Sequence, residues 1–158
     1  MTNSIEQESV GKPPLKRREL RDHLIKMLYM REFHEKDEID EQNGLYLSLF
    51  AEIEDEKTSK EIMDRYVLVV DKLGAIDSII SRVAKGWKLS RIGRMDLNIL
   101  RLAAFEILYD EAVPDKVAVN EAVELAKEYG CNESSYGFVN GILSSLIKEK
   151  QENDKHEQ

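Results

Sequence analysis

Residues 95–107 read MDLNILRLAAFEI, and this stretch decides the fold class. Met95, Ile99, Leu102, Ala103 and Ile107 recur at the spacing of one face of an α-helix. The same period lies upstream in Leu20, Leu24, Met27 and Leu28, and again in Leu45, Leu49 and Ile53 with Phe50 alongside. Thr58 and Glu61 match a capping box, in which hydroxyl and carboxylate each take an orphan N–H. They open a long helical stretch through Ile62, Met63, Tyr66, Val67, Val70 and Leu73. Gly74 weakens that helix, so Ile76, Ile79, Ile80 and Val83 belong to a separate helix or a bent continuation. Gly86 closes the segment and residues 87–90 form a connection.

Downstream, Val113 and Pro114 break the pattern. Residues 117–129 are helical and end at Gly130, expected as a left-handed C′ residue. Val139, Ile142, Leu143, Leu146 and Ile147 mark the last helix. Residues 67–70 and 117–119 would suit strands on propensity, but their neighbours keep the helical period. The expectation is an all-α bundle of about seven helices with short connections and no internal repeat. Residues 1–14, polar and ending in Gly11, Lys12, Pro13 and Pro14, read as a disordered arm. Residues 15–149 form a single all-helical domain, and residues 150–158 a flexible polar tail.

The 158 residues suit one domain, and 42% apolar content suffices for one core. The formal net charge is −8, so nucleic acid cannot be held by bulk charge and would need a local patch. Such a patch exists. Residues 12–31 carry seven basic side chains against two acidic, whereas residues 32–64 carry twelve acidic against three basic. The acidic stretch reads as a solvated face in preference to a dock for a basic partner. A second basic cluster comprises Arg82, Lys85, Lys88, Arg91, Arg94 and Arg101, opposed by Asp96. The single cysteine, Cys131, excludes an internal disulfide and fits a reducing compartment. No apolar segment follows the start and none is long enough to span a bilayer, so a cytoplasmic protein without membrane contact is expected.

Catalytic signals are absent. His23 and His34 are eleven residues apart and His156 lies in the tail, so no metal-ligand pair of histidines occurs. Cys131 has no histidine near it in sequence, and no phosphate-cradling or nucleophile-elbow motif is present. Glu121 and Glu124 lie one helical turn apart, as exposed helix acids commonly do. Asn132 and Ser134 complete a glycosylation sequon, which a chain without a secretion signal does not use. Neither enzyme activity nor a cofactor is expected.

The first helix carries the more informative pattern. At about 100° per residue, Leu20, Leu24, Met27 and Leu28 gather on a core face. Arg18, Ile25 and Tyr29 fall opposite, with Arg21 beside them, and Lys16 and Arg17 extend the basic end into the arm. Guanidinium forks bind phosphate oxygens in pairs, and an exposed tyrosine can stack an unpaired base. A merely solvated basic face is the simpler account, yet cations at a helix N-terminus oppose the dipole, so something other than helix stability places them there. Trp87 reads as a packing anchor across its connection, with a stacking platform as the alternative. Gly141, inside an apolar helix, costs about 1 kcal/mol against alanine, which close helix approach or a partner contact would offset.

These residues carry a resemblance. Ile99, Leu100, Arg101, Leu102, Ala103 and Glu106, then Val113 and Pro114, then VNEAVELAK at 119–127, then FVNGIL at 138–143, stand in the order and spacing of the NusB family of bacterial transcription antitermination factors. The chain resembles that family over residues 16–147, and Arg17, Arg18, Arg21, Leu28 and Tyr29 sit where the family has its arginine-rich motif. The resemblance implies two small helical bundles packed together. It implies binding of boxA RNA in nascent ribosomal RNA transcripts as a heterodimer with NusE, also a ribosomal small-subunit protein. NusA, NusG and RNA polymerase would complete the antitermination complex. Family RNA contacts map onto Arg17, Arg18 and Arg21, with Tyr29 and Phe138 on the base side and Lys16 extending the set. Glu19 departs from the motif at a position that is basic in some relatives, which bears on affinity, and Lys16 would compensate by shift. The alternative is a helical protein–protein module, including a homodimer that hides the basic face.

Overall fold

The computed structural model describes residues 15–156, and the arm expected over residues 1–14 lies outside them. Seven α-helices stand among the described residues, with no strand: α1 Arg17–Arg31, α2 Ile39–Leu45, α3 Glu56–Asp71, α4 Leu73–Val83, α5 Arg94–Tyr109, α6 Asp115–Tyr129 and α7 Ser135–His156. Residues 67–70 and 117–119 are helical. Leu45, Leu49 and Ile53 do not share one long helix: α2 ends at Leu45 and passes into a π turn, Tyr46–Phe50, that leaves Leu49 and Phe50 exposed.

Helix α5 is the axis. Every residue from position 96 to 107 is buried except Arg101, which is mostly covered. The single apolar stripe read from the sequence therefore understates it, because α1, α4, α6 and α7 surround it on several sides. Helix α1 packs on α3 as well as on α5, and α4 packs on α7. The result is two small bundles, α1–α3 and α4–α7, joined where α1 crosses α5.

Local chemistry sets the joints. Lys72, at φ −99° and ψ 0°, separates α3 from α4 two residues before the weak point marked by Gly74. The start of α3 differs from the Thr58–Glu61 expectation: Asp55 is the cap, accepting from the Lys57 N–H at 3.2 Å and from the Thr58 hydroxyl at 2.7 Å. A carboxylate one turn earlier serves the orphan donors, so Thr58 becomes a donor to the cap. Gly86 has φ +83° and turns the chain into the connection that carries Trp87.

Gly130 is extended, with φ −62° and ψ 159°, and not left-handed. Its need for glycine is steric, since a Cβ there would lie 2.3 Å from the Ala126 carbonyl oxygen and 2.5 Å from the Ser135 Cβ. Gly141 shows the opposite: a Cβ would meet nothing within 4 Å, so close helix packing does not explain it. Helix α7 continues to His156, six residues past the point where a flexible tail was expected. The Lys150 ammonium anchors it by donating to the Ile107 carbonyl at 2.8 Å and to Asp115 at 3.1 Å.

Candidate nucleic-acid interface

Helix α1 begins at an uncapped N-terminus. Lys16 holds the N-cap position in extended conformation, supplies no side-chain cap, and is exposed without an ion pair among the described residues. Arg17 is exposed and stands 3.7 Å from Asp110, whose closer partner is Arg65 at 2.5 Å. Arg18 is 71% exposed and makes a two-pronged contact with Glu121 of α6, Nε to Oε2 at 3.1 Å and Nη2 to Oε1 at 3.0 Å. That contact holds the Glu121 carboxyl below its usual range against the effect of partial burial. The arginine fork thus already grips a carboxylate, and its remaining N–H groups face water.

Arg21 corrects the sequence reading. It is only 6% exposed, and its Nε donates to Glu106 Oε1 of α5 at 2.7 Å. Burial pushes the Glu106 carboxyl up, against the pull of Arg21. Ile25, assigned to the same outward face, is fully buried. The wheel assumed one core direction, whereas α3 and α5 both cover α1 and widen its buried arc past these two positions. Arg21 therefore holds α1 on α5 and does not form part of the surface.

Farther along α1, Asp22 accepts from the Tyr129 hydroxyl at 2.5 Å and pairs with Lys26 at 2.7 Å. Burial opposes ionisation of Asp22, yet these two donors hold its carboxyl below the ordinary range. The Lys26 ammonium also lies 5.4 Å from the centre of the Tyr129 ring. Tyr29 is exposed as expected, and it meets Phe33 edge to face with centroids 5.0 Å apart. Phe33, 63% exposed, was not singled out in the sequence, although its place four residues after Tyr29 was a usable signal. Lys16, Arg17 and Arg18 thus occupy one end of α1 and Tyr29 the other, about 16 Å apart at 1.5 Å per residue.

Phe138 sits apart from these, on the first turn of α7, half-buried against Trp87 with ring centroids 5.4 Å apart. The link to α1 runs through Glu32, which follows α1, pairs with Arg101 at 2.9 Å and lies 3.9 Å from Arg94 at the start of α5. Arg101 also grips Asp77 with two hydrogen bonds, at 2.8 and 2.9 Å, and Arg82 pairs with Glu149. Of the second basic cluster, Arg82, Lys85, Lys88, Arg91 and Arg94 are exposed.

Among the described residues no group of three or more histidine, cysteine or acidic side chains could hold a metal ion, and no helix is long and apolar enough to cross a membrane.

Comparison with known proteins places this arrangement. The NusB family model matches residues 18–148. Transcription antitermination protein NusB of Lachnoclostridium phytofermentans is 50% identical over 131 residues, covering 83% of this chain and 98% of that one. Among solved structures, Thermotoga NusB, "T. maritima NusB, P3121, Form 2", superposes with a TM-score of 0.74 at 34% identity over 87% of this chain and 94% of that one. A chain in the crystal structure of a plectonemic RNA supercoil superposes with a TM-score of 0.71 at 26% identity over 85% and 95%.

Proposed function

The chain belongs to the NusB family, and on that premise we propose that it is an RNA-binding transcription antitermination factor that acts with NusE on boxA RNA of nascent ribosomal RNA transcripts. It is not an enzyme: it joins RNA to a protein complex that also contains NusA, NusG and RNA polymerase, in the cytoplasm. The observation that carries this reading is the exposed basic end of α1. On a chain of net charge −8, Lys16, Arg17 and Arg18 stand together in water at a helix N-terminus, where the dipole disfavours them. The solved neighbour from an RNA crystal supports the same class of ligand.

The expected mechanism is a division of labour. Lys16, Arg17 and Arg18 take phosphates and set register, while Tyr29, with Phe33 against it, and Phe138 meet unpaired bases. Arg21 serves from inside, fixing the angle of α1 through Glu106. Glu121 competes with phosphate for Arg18, so binding by this chain alone is modest, and a partner that adds RNA surface raises it by linked binding.

The test is fluorescence anisotropy of a labelled boxA-type RNA against a scrambled RNA, with and without NusE. Selective binding that strengthens with NusE is expected. Equal, weak binding of both RNAs even with NusE would refute the proposal and favour a protein–protein module.

A further inference from the structure

We propose that the turn after α2 is a docking surface for a basic amphipathic segment of a partner protein, seated on Leu45, Leu49 and Phe50 inside a rim of carboxylates. The surface carries none of the residues assigned above to RNA, and the proposal does not rest on that assignment. Phe50 is 79% exposed and Leu49 65%, with Leu45 also exposed one helical turn before Leu49. In a continued α-helix Leu45, Leu49 and Ile53 would share one buried ridge. The π turn Tyr46–Phe50 instead sends Tyr46 and Leu47 into the core and leaves Leu49 and Phe50 in water. The Ala51 N–H donates to the Tyr46 carbonyl at 2.9 Å and the Ile53 N–H to the Leu47 carbonyl at 2.8 Å. Glu52 completes the turn in the left-handed region, at φ 53°, where a residue with a side chain is strained. The buried Tyr46 and Leu47 hold that backbone in place, so the apolar pair is presented before any partner arrives.

Charge names the occupant. Between positions 35 and 56 nine acidic side chains stand against Lys36 alone, and all of them are exposed. Glu41 lies one turn before Leu45 on α2, and Glu52 and Glu54 come within four residues after Phe50. None of these three meets a cation among the described residues. The acidic stretch that the sequence offers as a solvated face therefore encloses apolar side chains. An apolar centre within a charged rim is the anatomy of a protein–protein contact. The rim repels RNA and anionic lipid, and across a twofold contact it would repel itself, so a second copy of the chain does not fit. A helix with apolar side chains along one face and lysine or arginine on its borders satisfies both features. The carboxylates steer it in, and Leu49 and Phe50 lose their water against it.

The test titrates a helical lysine–leucine peptide, its leucines on one face, into the isotope-labelled full chain while backbone amide shifts are followed. A peptide of the same composition, with its leucines dispersed around the helix, serves as control. The expected result is binding of the one-faced peptide with shifts confined to residues 41–54, weakening as salt rises. Phe50→Ser should lose about tenfold in peptide affinity, and Glu41→Gln/Glu52→Gln/Glu54→Gln several-fold. Both variants should unfold no earlier than the parent, because the changed side chains are exposed, and both should bind boxA-type RNA as the parent does. Equal binding of the dispersed peptide would reduce the surface to bulk charge and overturn the proposal. Shifts centred elsewhere, or none at all, would also overturn it. A parent that sediments as a dimer, and becomes a monomer in Phe50→Ser, would give the face to a second copy and contradict the charge argument. Weaker RNA binding by a folded Phe50→Ser would place the face in the RNA site instead.

Discussion

The two basic clusters, residues 16–21 and 82–101, contain the same kinds of side chain and divide them the same way. Each has an arginine held inside the fold: Arg21 on Glu106, and Arg101 on Asp77 and Glu32. Each leaves the others in water: Lys16, Arg17 and Arg18 in the first, Arg82, Lys85, Lys88, Arg91 and Arg94 in the second. The difference within each cluster teaches more than the likeness between them. Charge count does not separate an anchor from a contact. What separates them is whether a neighbouring helix presents a carboxylate at depth or water does.

The comparison breaks most sharply at Arg21. Arg21→Ala leaves the buried Glu106 without its partner and should cost about 3–5 kcal/mol of stability in urea unfolding. A double variant, Arg21→Met with Glu106→Leu, should recover most of it, since removing both charges also removes the desolvation cost. If Arg21→Ala unfolds like the parent and only RNA affinity falls, Arg21 is a contact and the division fails.

Gly130→Ala comes next. The added methyl collides with the Ala126 carbonyl oxygen and with Ser135, so a loss of about 1–3 kcal/mol is expected by thermal or urea unfolding. Gly141→Ala, facing open space in mid-helix, should instead stabilise by about 1 kcal/mol. A loss in both would show that the two glycines are not distinguished by their surroundings.

The pH dependence sharpens the interior side. His23 meets the Tyr46 hydroxyl at 2.9 Å, and burial holds its imidazole below the ordinary value, while burial pushes Tyr46 up to about 12. A histidine depressed on folding binds its proton more weakly in the native state, so the unfolded chain binds more protons below about pH 6.5. Stability should therefore fall as pH drops through 6.5, and the midpoint of thermal unfolding measured from pH 8 to 5.5 should lose much of that slope in His23→Gln. An unchanged slope would assign it to other groups.

The fold class was legible because apolar period is a property of each segment by itself. Ile99, Leu102 and Ile107 announce a helix whatever packs on them. The break between α3 and α4 was legible for the same reason, through Gly74. The burial of Arg21 and Ile25 was not, because it depends on α3 and α5 arriving from two sides. The Asp55 cap competed with an equally valid local match at Thr58, and both draw on the same few atoms. Gly130 was identified as special, but for backbone freedom, when the reason is steric: a Cβ would strike the Ala126 carbonyl oxygen and Ser135 at the start of the next helix. Of the residues proposed to contact RNA, Tyr29 was placed correctly on the exposed face, whereas Phe33, four residues after it, was passed over because it falls beyond the charged end of that helix at Arg31 and Glu32.

The central claim, that Arg17 and Arg18 meet RNA phosphates while Arg21 holds the fold, is tested most directly by the salt dependence of RNA binding. The logarithm of the binding constant would be measured against the logarithm of salt concentration for the parent and for Arg17→Ala/Arg18→Ala, with urea unfolding run beside it. Two lost phosphate contacts on a single strand predict a slope shallower by about 1.4, with the unfolding midpoint unmoved. An unchanged slope, with weaker binding only where the fold itself is weakened, would contradict the account.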